Sequence, residues 1–140
     1  MILIKNNINK VEEFNYLYDA VGWGSYDSDI SKESLKNTIY SVSVYDDDKI
    51  IGYGRLIGDG ICFLYIHDVM VVPKYQSQKI GTQIMNNLLD KINEIKTRNP
   101  YVRVYLGASK GKEGFYKKFG FITREDANLG SEMILSGFKD

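Results

Sequence analysis

The chain has 140 residues, of which 44% are hydrophobic and 26% charged, the balance of an ordinary globular domain. Its 18 basic and 18 acidic side chains cancel, which argues against a general nucleic-acid-binding or anionic-membrane-binding surface. A single cysteine, Cys62, excludes an internal disulfide, and no apolar run approaches the ~20 residues of a transmembrane helix.

The N-terminal part of the chain predicts a short strand and two helices. Residues 2–4 are an apolar strand candidate, and they lack the basic leader of a secretory signal, so a cytoplasmic location is expected. Asn9 stands three residues before Glu12, the spacing of a capping box. An apolar core stripe at helical spacing then follows, formed by Val11, Phe14, Leu17, Tyr18 and Val21. The sequence Gly22-Trp23-Gly24 ends this helix, and Ser31 is predicted to cap a second helix that runs to about residue 37.

The middle of the chain has the alternating pattern of strands. Residues 41–45 and 50–57 flank a polar turn and predict a hairpin. The pair Asp59-Gly60 is a second turn signal, after which a long strand is predicted over residues 61–72. Pro73 ends that strand because proline cannot donate to a sheet ladder.

The C-terminal half predicts a long amphipathic helix from about Ile80 to Asn99, a strand over residues 102–106 and a short helix over residues 114–119, with Gly120 as its C-cap. Residues 121–122 and 132–135 are the last strand candidates. The order β-α-α-β-β-β-α-β-α-β-β predicts one α+β domain over residues 1–140, with a mixed central β-sheet flanked by helices.

The segment with the clearest chemistry joins the long strand to the long helix and reads VVPKYQSQKIGT over residues 71–82. A loop that wraps a helix N-terminus is suited to a pyrophosphate, since the first N–H groups of the helix have no internal acceptor. Gly81 leaves room for close approach of the ligand. A polar strand-to-helix connection without any ligand is the alternative, and this segment alone does not decide between them. The segment is neither a P-loop nor a Rossmann glycine motif.

The same segment resembles the acetyl-CoA motif of the GNAT superfamily, V-x-P-x-[YF]-[RQ]-G-x-G-[IL]-G-[TSK]. Ser77 and Lys79 stand where the family motif has glycine, and the charge of Lys79 suits the phosphates of coenzyme A. A second segment, GFYKKFGF over residues 114–121, resembles the later F-Y-x-x-x-G-F motif of the family. The matching residues are Val71, Pro73, Tyr75, Gln76, Ile80, Gly81 and Thr82 in the first motif and Phe115, Tyr116, Gly120 and Phe121 in the second.

This resemblance implies a GNAT-like fold and an N-acetyltransferase that uses acetyl-CoA as co-substrate and no metal. The implied acceptor is a primary amine of a small molecule, such as an amino acid or a polyamine, which attacks the thioester directly. A protein or peptide N-acetyltransferase and a non-catalytic CoA-binding regulatory module are the alternatives. No nucleic acid or membrane partner is expected, and a homodimer is left open. The implied cofactor-binding residues are Met70, Val71, Val72, Gln76, Ser77, Gln78, Lys79, Ile80, Gly81, Thr82, Phe115 and Tyr116.

Two residues are candidates for proton transfer. Tyr116 matches the tyrosine that the family uses to protonate the departing thiolate, and a core aromatic is the alternative. His67 is the only histidine, and imidazole ordinarily titrates near neutral pH, as a base in this reaction requires. Strand alternation places Tyr65, His67 and Val69 on one face and Asp68 on the other, where it would brace a loop or helix. A half-buried sheet histidine is the equal alternative.

The acceptor is expected between the Trp23 loop and the face of Tyr65 and His67, because family members wall off their acceptor site there. Arg55 shares a strand face with Tyr53 and has the fork geometry that holds a carboxylate. A surface or interface salt bridge of Arg55 is the slightly favoured alternative.

Overall fold

The computed structural model describes residues 1–137, which divide into two compact units. The first unit, Met1–Leu106, holds the sheet and three helices, and the second begins at Gly107 and holds one short helix. The elements of the first unit are β1 (Ile2–Asn6), α1 (Val11–Ala20), α2 (Ser28–Leu35), β2 (Tyr40–Asp46), β3 (Lys49–Gly58), β4 (Phe63–Val71), a 3₁₀ turn (Pro73–Tyr75), α3 (Ile80–Arg98) and β5 (Arg103–Leu106). The second unit contains α4 (Glu113–Lys117).

The sheet has five strands in the order β1-β2-β3-β4-β5. The first three pairings are antiparallel, and β4 pairs with β5 in parallel through the α3 crossover. The predicted α+β fold with a mixed sheet flanked by helices is therefore confirmed. The single-domain prediction stays a prediction.

One face of the sheet is covered by α3. Ile84, Met85 and Leu88 are completely buried there. Gly52 and Gly54 on β3 allow this close approach, because a Cβ atom on Gly54 would lie 2.8 Å from Cγ2 of Ile84.

The opposite face carries an aromatic cluster between the sheet and α1. Phe14 packs edge-on against Tyr53 with ring centroids 5.8 Å apart, and it contacts Tyr18 at 4.8 Å. Leu17 and Met70 complete the buried centre of this cluster. The predicted apolar stripe of the first helix is thus used against the sheet.

The predicted helix caps are wrong. Helix α1 begins at Val11, and the amide oxygen of Asn9 instead accepts a hydrogen bond of 2.6 Å from the hydroxyl of Tyr53. Ser31 lies inside α2 and donates to the amide oxygen of Asn15 at 2.6 Å. Both side chains join packed elements, so tertiary contacts replace the local capping role.

Strand β4 begins at Phe63, two residues later than predicted. The reason is Asp59, whose Oδ1 atom accepts the backbone N–H groups of Ile61, Cys62 and Phe63 at 2.8–3.0 Å. This Asx-type turn holds the preceding residues out of the ladder.

The last two predicted strands are also wrong, since residues 121–122 and 132–135 form no strand. The backbone between these two segments forms hydrogen-bonded turns. For example, the N–H of Leu129 donates to the carbonyl of Arg124 at 2.8 Å. Met133, Ile134 and Leu135 are 86%, 75% and 88% exposed. An apolar run forms a strand only when a neighbouring strand pairs with it, and no described ladder includes these residues. Gly120 does adopt the left-handed conformation expected after the short helix, with φ +96°.

Within residues 1–137, no helix combines the length and the apolarity that a membrane span requires.

Candidate functional site

Strand β4 has an irregularity at its centre. Tyr53 pairs with Met70 and Arg55 pairs with His67, so that Asp68 and Val69 together oppose the single residue Gly54. This is a β-bulge, and Asp68 adopts φ +56° in it, a left-handed conformation that aspartate tolerates better than most residues.

The bulge corrects the predicted strand faces. The side chains of His67 and Asp68 contact each other, although neighbours in a regular strand point to opposite faces. Val69 lies on the α3 face, where its Cγ2 atom would be 3.4 Å from a Cβ atom on Gly54. The prediction that Val69 shares a face with His67 and that Asp68 faces away from both is therefore wrong. Tyr65 and His67 do lie together, with ring centroids 5.8 Å apart.

Asp68 is the centre of a buried polar network. Only 4% of Asp68 is exposed, and its Oδ2 atom lies 2.7 Å from Nε of Arg55. Its Oδ1 atom accepts the hydroxyl of Tyr18 and lies 2.8 Å from Nδ1 of His67. Burial opposes ionisation of Asp68, but the contacts with His67, Tyr18 and Arg55 outweigh it and hold the pKa of the carboxyl below its usual range.

Arg55 is turned into the protein. It is 5% exposed, and besides Asp68 it donates to the backbone carbonyl of Ser34 at 3.1 Å, to the Ser34 hydroxyl at 3.0 Å and to the Thr38 hydroxyl at 2.9 Å. Its guanidinium carbon lies 5.5 Å from the centre of the Phe14 ring. Arg55 thus forms a salt bridge, but the pair is buried and does not lie at a surface or interface as the favoured alternative expected. Binding of an acceptor carboxylate by Arg55 stays a prediction, and this geometry disfavours it.

Exposed aromatic rings adjoin the same network. The buried ring of Tyr18 contacts Trp23 at 5.4 Å and Tyr26 at 5.5 Å, and these two partners are 43% and 51% exposed. The side chain of His67 is 47% exposed. The structure thus connects Trp23 and His67, two of the predicted site residues, through Tyr18 and Asp68.

Among the described strands, only β3 pairs with the second half of β4. Strand β5 pairs with residues Phe63 to Ile66, whereas β3 continues beside β4 as far as Val71. The N–H of Val72 donates to the carbonyl of Ile51 on β3 at 2.8 Å. Because main-chain groups alternate along a strand, the N–H and C=O of Val71 point away from β3. Met70, Val71 and Val72, three of the implied cofactor-binding residues, lie along this edge.

The loop after β4 has two residues in the left-handed conformation, Ser77 and Lys79, each with φ +65°. These are the two positions where the resembling motif has glycine. The departure from the motif therefore changes the side chains, while the backbone adopts a conformation that glycine favours. The amide of Gln76 donates to the carbonyl of Val71 at 3.0 Å, and the amide of Gln78 donates to the carbonyl of Lys74 at 3.1 Å, so the loop is braced against its own backbone.

The start of α3 has the features of an anion site. Lys79 precedes the helix without a side-chain cap, and the first turn contains no acidic residue. The N–H groups of Ile80, Gly81 and Thr82 lie in that turn, where an α-helix offers them no internal acceptor. The partial positive charge of the helix end and the adjacent ammonium group of Lys79 both favour a phosphate.

Tyr116 lies in the second unit, on α4. Its ring contacts Phe115 with centroids 5.0 Å apart and Phe121 at 6.5 Å. Burial raises the pKa of Tyr116 above its usual value, which keeps the phenol protonated. The predicted roles of Tyr116 as acid and of Phe115 as a cofactor contact stay predictions.

No group of three or more candidate metal ligands occurs among residues 1–137.

The family model described as an acetyltransferase (GNAT) domain matches residues 16–133 of this chain. The chain belongs to the GNAT acetyltransferase family. The computed structure of this GNAT chain superposes on a probable acetyltransferase from meticillin-resistant Staphylococcus aureus with a TM-score of 0.83 and 29% identity, over 96% of this chain and 100% of the other. It is also similar to a GNAT family acetyltransferase from Streptococcus pneumoniae, with a TM-score of 0.76 and 27% identity over 99% of this chain and 100% of that one.

A curated relative from Prochlorococcus marinus, an uncharacterized N-acetyltransferase, is 28% identical over 120 residues. The match covers 83% of this GNAT chain but only 64% of the relative, so the chain spans less than two thirds of that protein.

Sequence reasoning missed the partners of His67. Asp68 follows the only histidine directly, but alternation placed it on the other face. Tyr18 was assigned to the core stripe of α1, and nothing in the helical spacing distinguishes a core tyrosine from one that binds a carboxylate. Tyr26 was not singled out at all.

Proposed function

We propose that this protein is an acetyl-CoA-dependent N-acetyltransferase that transfers the acetyl group to a primary amine of a small cationic molecule by direct attack. Within the first unit, an exposed imidazole in contact with a buried carboxylate lies on the same strand that leads into the anion-binding loop. This combination of a base and a phosphate site on one strand is the observation that carries the proposal.

In this proposal the loop and the start of α3 bind the pyrophosphate of acetyl-CoA. The N–H groups of residues 80–82 and the side chain of Lys79 supply positive charge. On the side of β4 away from β3, the N–H of Val71 is offered to a pantetheine amide, while the carbonyl of Val71 accepts the amide of Gln76. Residues 76–79 are exposed, so the ligand has access to them.

The reaction needs three proton movements and the release of a proton to solvent. His67 accepts a proton from the acceptor ammonium, and the resulting amine attacks the thioester carbonyl. The C–N bond forms and the C–S bond breaks, and Tyr116 donates a proton to the departing thiolate. The nitrogen, now bonded to the acetyl carbon, gives its extra proton to the Tyr116 phenolate, and His67 releases its proton to solvent. Burial raises the pKa of Tyr116, so the phenol is protonated and has a proton to donate before the thiolate forms.

The surroundings of Trp23 favour a cationic acceptor without a carboxylate. Residues 11–31 contain five acidic side chains and no lysine or arginine. Exposed aromatic rings such as Trp23 and Tyr26 attract organic cations. Arg55, the one residue proposed to bind an acceptor carboxylate, is already paired with Asp68. A di- or polyamine therefore fits better than an amino acid.

The test is release of the CoA thiol from acetyl-CoA with a panel of amines. The matched compounds are a diamine, a monoamine of the same chain length, an amino acid, its amide, and a lysine-containing peptide. The proposal expects the highest kcat/KM for the diamine and no preference for the amino acid over its amide. Turnover with the peptide alone would favour a protein acetyltransferase. CoA binding without turnover of any amine would favour the regulatory module.

The role of Tyr116 is tested by Tyr116→Phe, which removes the hydroxyl and keeps the ring. A general acid contributes about 10²–10⁴-fold, so kcat should fall by at least ~10²-fold with acetyl-CoA affinity retained. Tyr101→Phe is the control, because Tyr101 is 91% exposed and carries a hydroxyl with no proposed role. Equal turnover of the two variants would assign protonation of the thiolate to solvent.

A further inference from the structure

We infer that Asp68 is a positioning residue that fixes His67 in the tautomer with the proton on Nδ1, so that Nε2 is the proton acceptor. The inference deepens the proposed function and rests on it.

The bulge in β4 is what brings the two side chains together. In a regular strand, consecutive side chains point to opposite faces. Here the left-handed backbone of Asp68 reverses that order, and Oδ1 of Asp68 lies 2.8 Å from Nδ1 of His67. A carboxylate only accepts hydrogen bonds, so the neutral imidazole must donate from Nδ1, and the lone pair is left on Nε2.

The carboxylate itself is held from two other elements. Arg55 on β3 binds Oδ2 at 2.7 Å, and Tyr18 on α1 donates to Oδ1. Arg55 is in turn fixed by two hydrogen bonds to Ser34 of α2 and by one to Thr38, just after that helix. Asp68 therefore cannot rotate away from His67 without leaving the arginine unpaired, and a buried unpaired charge is strongly unfavourable.

Of the two side chains, the one proposed as the base is accessible from solvent and its partner is buried. Asp68 has a completely buried side chain, whereas the side chain of His67 is 47% exposed. The acceptor ammonium gives its proton to Nε2, and the imidazolium that forms keeps its contact with the Asp68 carboxylate. Within residues 1–137, the neighbouring charged or titratable groups include Arg55, the phenol of Tyr18, which burial and the Asp68 charge keep protonated, Tyr53 on β3 and the adjoining Tyr65.

The first measurement is the tautomer of His67 by long-range ¹H–¹⁵N NMR of the unmodified protein. Because the chain has one histidine, the imidazole signals need no assignment by mutation. We expect a protonated Nδ1 and an unprotonated Nε2 in the neutral ring. The opposite tautomer in the wild-type protein would overturn the inference, whatever the variants do.

The second measurement is the same spectrum for Asp68→Asn. Arginine only donates hydrogen bonds, so the asparagine oxygen must face Arg55 and its NH₂ group must face His67. Nδ1 then becomes an acceptor, and the proton moves to Nε2, where it blocks the base. Retention of the Nδ1–H tautomer in this variant would show that Asp68 does not set it.

The third measurement is the pH profile of kcat/KM for the best amine of the panel. Asp68→Asn and His67→Gln should each lower kcat/KM by about 10²-fold near neutral pH, the lower range for a general base. The loss should shrink as the pH rises, because the free amine needs no base. The double variant should be no slower than His67→Gln, since both changes remove one function. An equal loss at every pH, or additive losses in the double variant, would assign Asp68 a structural role only.

Two further outcomes separate this inference from the proposed function. If the wild-type protein binds CoA but acetylates no amine, the proposed function fails, and a confirmed Nδ1–H tautomer is then a structural feature of the bulge. If acetylation occurs and Asp68→Asn keeps the wild-type profile, the function stands and the positioning role fails. CoA affinity and circular dichroism check that each variant is folded. If Asp68→Asn does not fold, the tautomer of His67 in the wild-type protein still tests the inference.

Discussion

The two faces of the central sheet bury different kinds of side chain. The α3 face is aliphatic, with Ile84, Met85 and Leu88 fully buried against the glycines of β3. The α1 face buries Arg55 and Asp68 together with the tyrosines that surround them. Apolar burial stabilises a fold directly, whereas a buried ion pair often contributes little once its desolvation is counted. The α3 face therefore contributes mainly to stability. The charged pair on the α1 face contributes mainly by holding neighbouring side chains, such as His67, in position.

The strongest way to break this comparison is to remove one member of the pair. Arg55→Met leaves Asp68 as a buried carboxylate without its cation, so the free energy of unfolding should fall by about 3–5 kcal/mol. Urea denaturation followed by circular dichroism measures this change.

The matched control for that experiment is the neutral pair Arg55→Met/Asp68→Asn. Asparagine tolerates the left-handed backbone of position 68, and no buried charge remains. Part of the lost stability should return. A double variant as unstable as the sum of its single variants would mean that the ion pair does not behave as one unit.

Tyr53, on the α1 face, makes a contribution to the free energy of unfolding that depends on pH. Burial raises the pKa of Tyr53 to about 12, while an unfolded tyrosine titrates near ~10. The folded state therefore binds more protons than the unfolded state in this window. The contribution of Tyr53 to stability is complete below pH ~10 and is lost as the pH rises through about 12.

Tyr53→Phe should flatten this alkaline loss and should cost about 1 kcal/mol at neutral pH, because the hydrogen bond to Asn9 is lost. Unfolding curves at several alkaline pH values test both effects. Tyr101→Phe, at an exposed position, should leave the slope unchanged. A slope that responds equally to the two changes would remove the α1 face as its source.

The smallest effect is expected in the loop between β4 and α3. Lys79→Gly relieves a left-handed lysine, so the free energy of unfolding should rise by roughly 0.5–1 kcal/mol. The lost ammonium group should also weaken the dependence of CoA affinity on salt. Ser77→Gly is matched in backbone conformation and removes no charge, so it should change stability alone. Identical salt dependence in both variants would exclude Lys79 from the phosphate site.

The sequence predicted those features that depend on local pattern. The period of four in α3, the proline after β4 and the alternation in β2 and β3 placed the sheet and its crossover correctly. The faces of His67, Asp68 and Val69 could not be predicted, because a bulge of one residue reverses alternation and depends on pairing with a distant strand. At residues 132–135 the prediction failed in a different way. Their apolar pattern fits a strand, but no described strand pairs with them. Asn9 and Ser31 fit local capping patterns, yet both bind side chains brought near by the fold.

The most direct test of the account is calorimetric titration of the protein with CoA, compared between the wild type and Gly81→Leu. The account predicts wild-type binding in the micromolar range and at least tenfold weaker binding by the variant, since a leucine side chain blocks approach to the first turn of α3. Leucine is a better helix former than glycine, so the loss would not come from unfolding of α3. Gly130→Leu, at a position where an added Cβ meets no atom within 4 Å, is the control and should bind as the wild type does. No binding of CoA by the wild type, or equal binding by wild type and Gly81→Leu, would contradict the account.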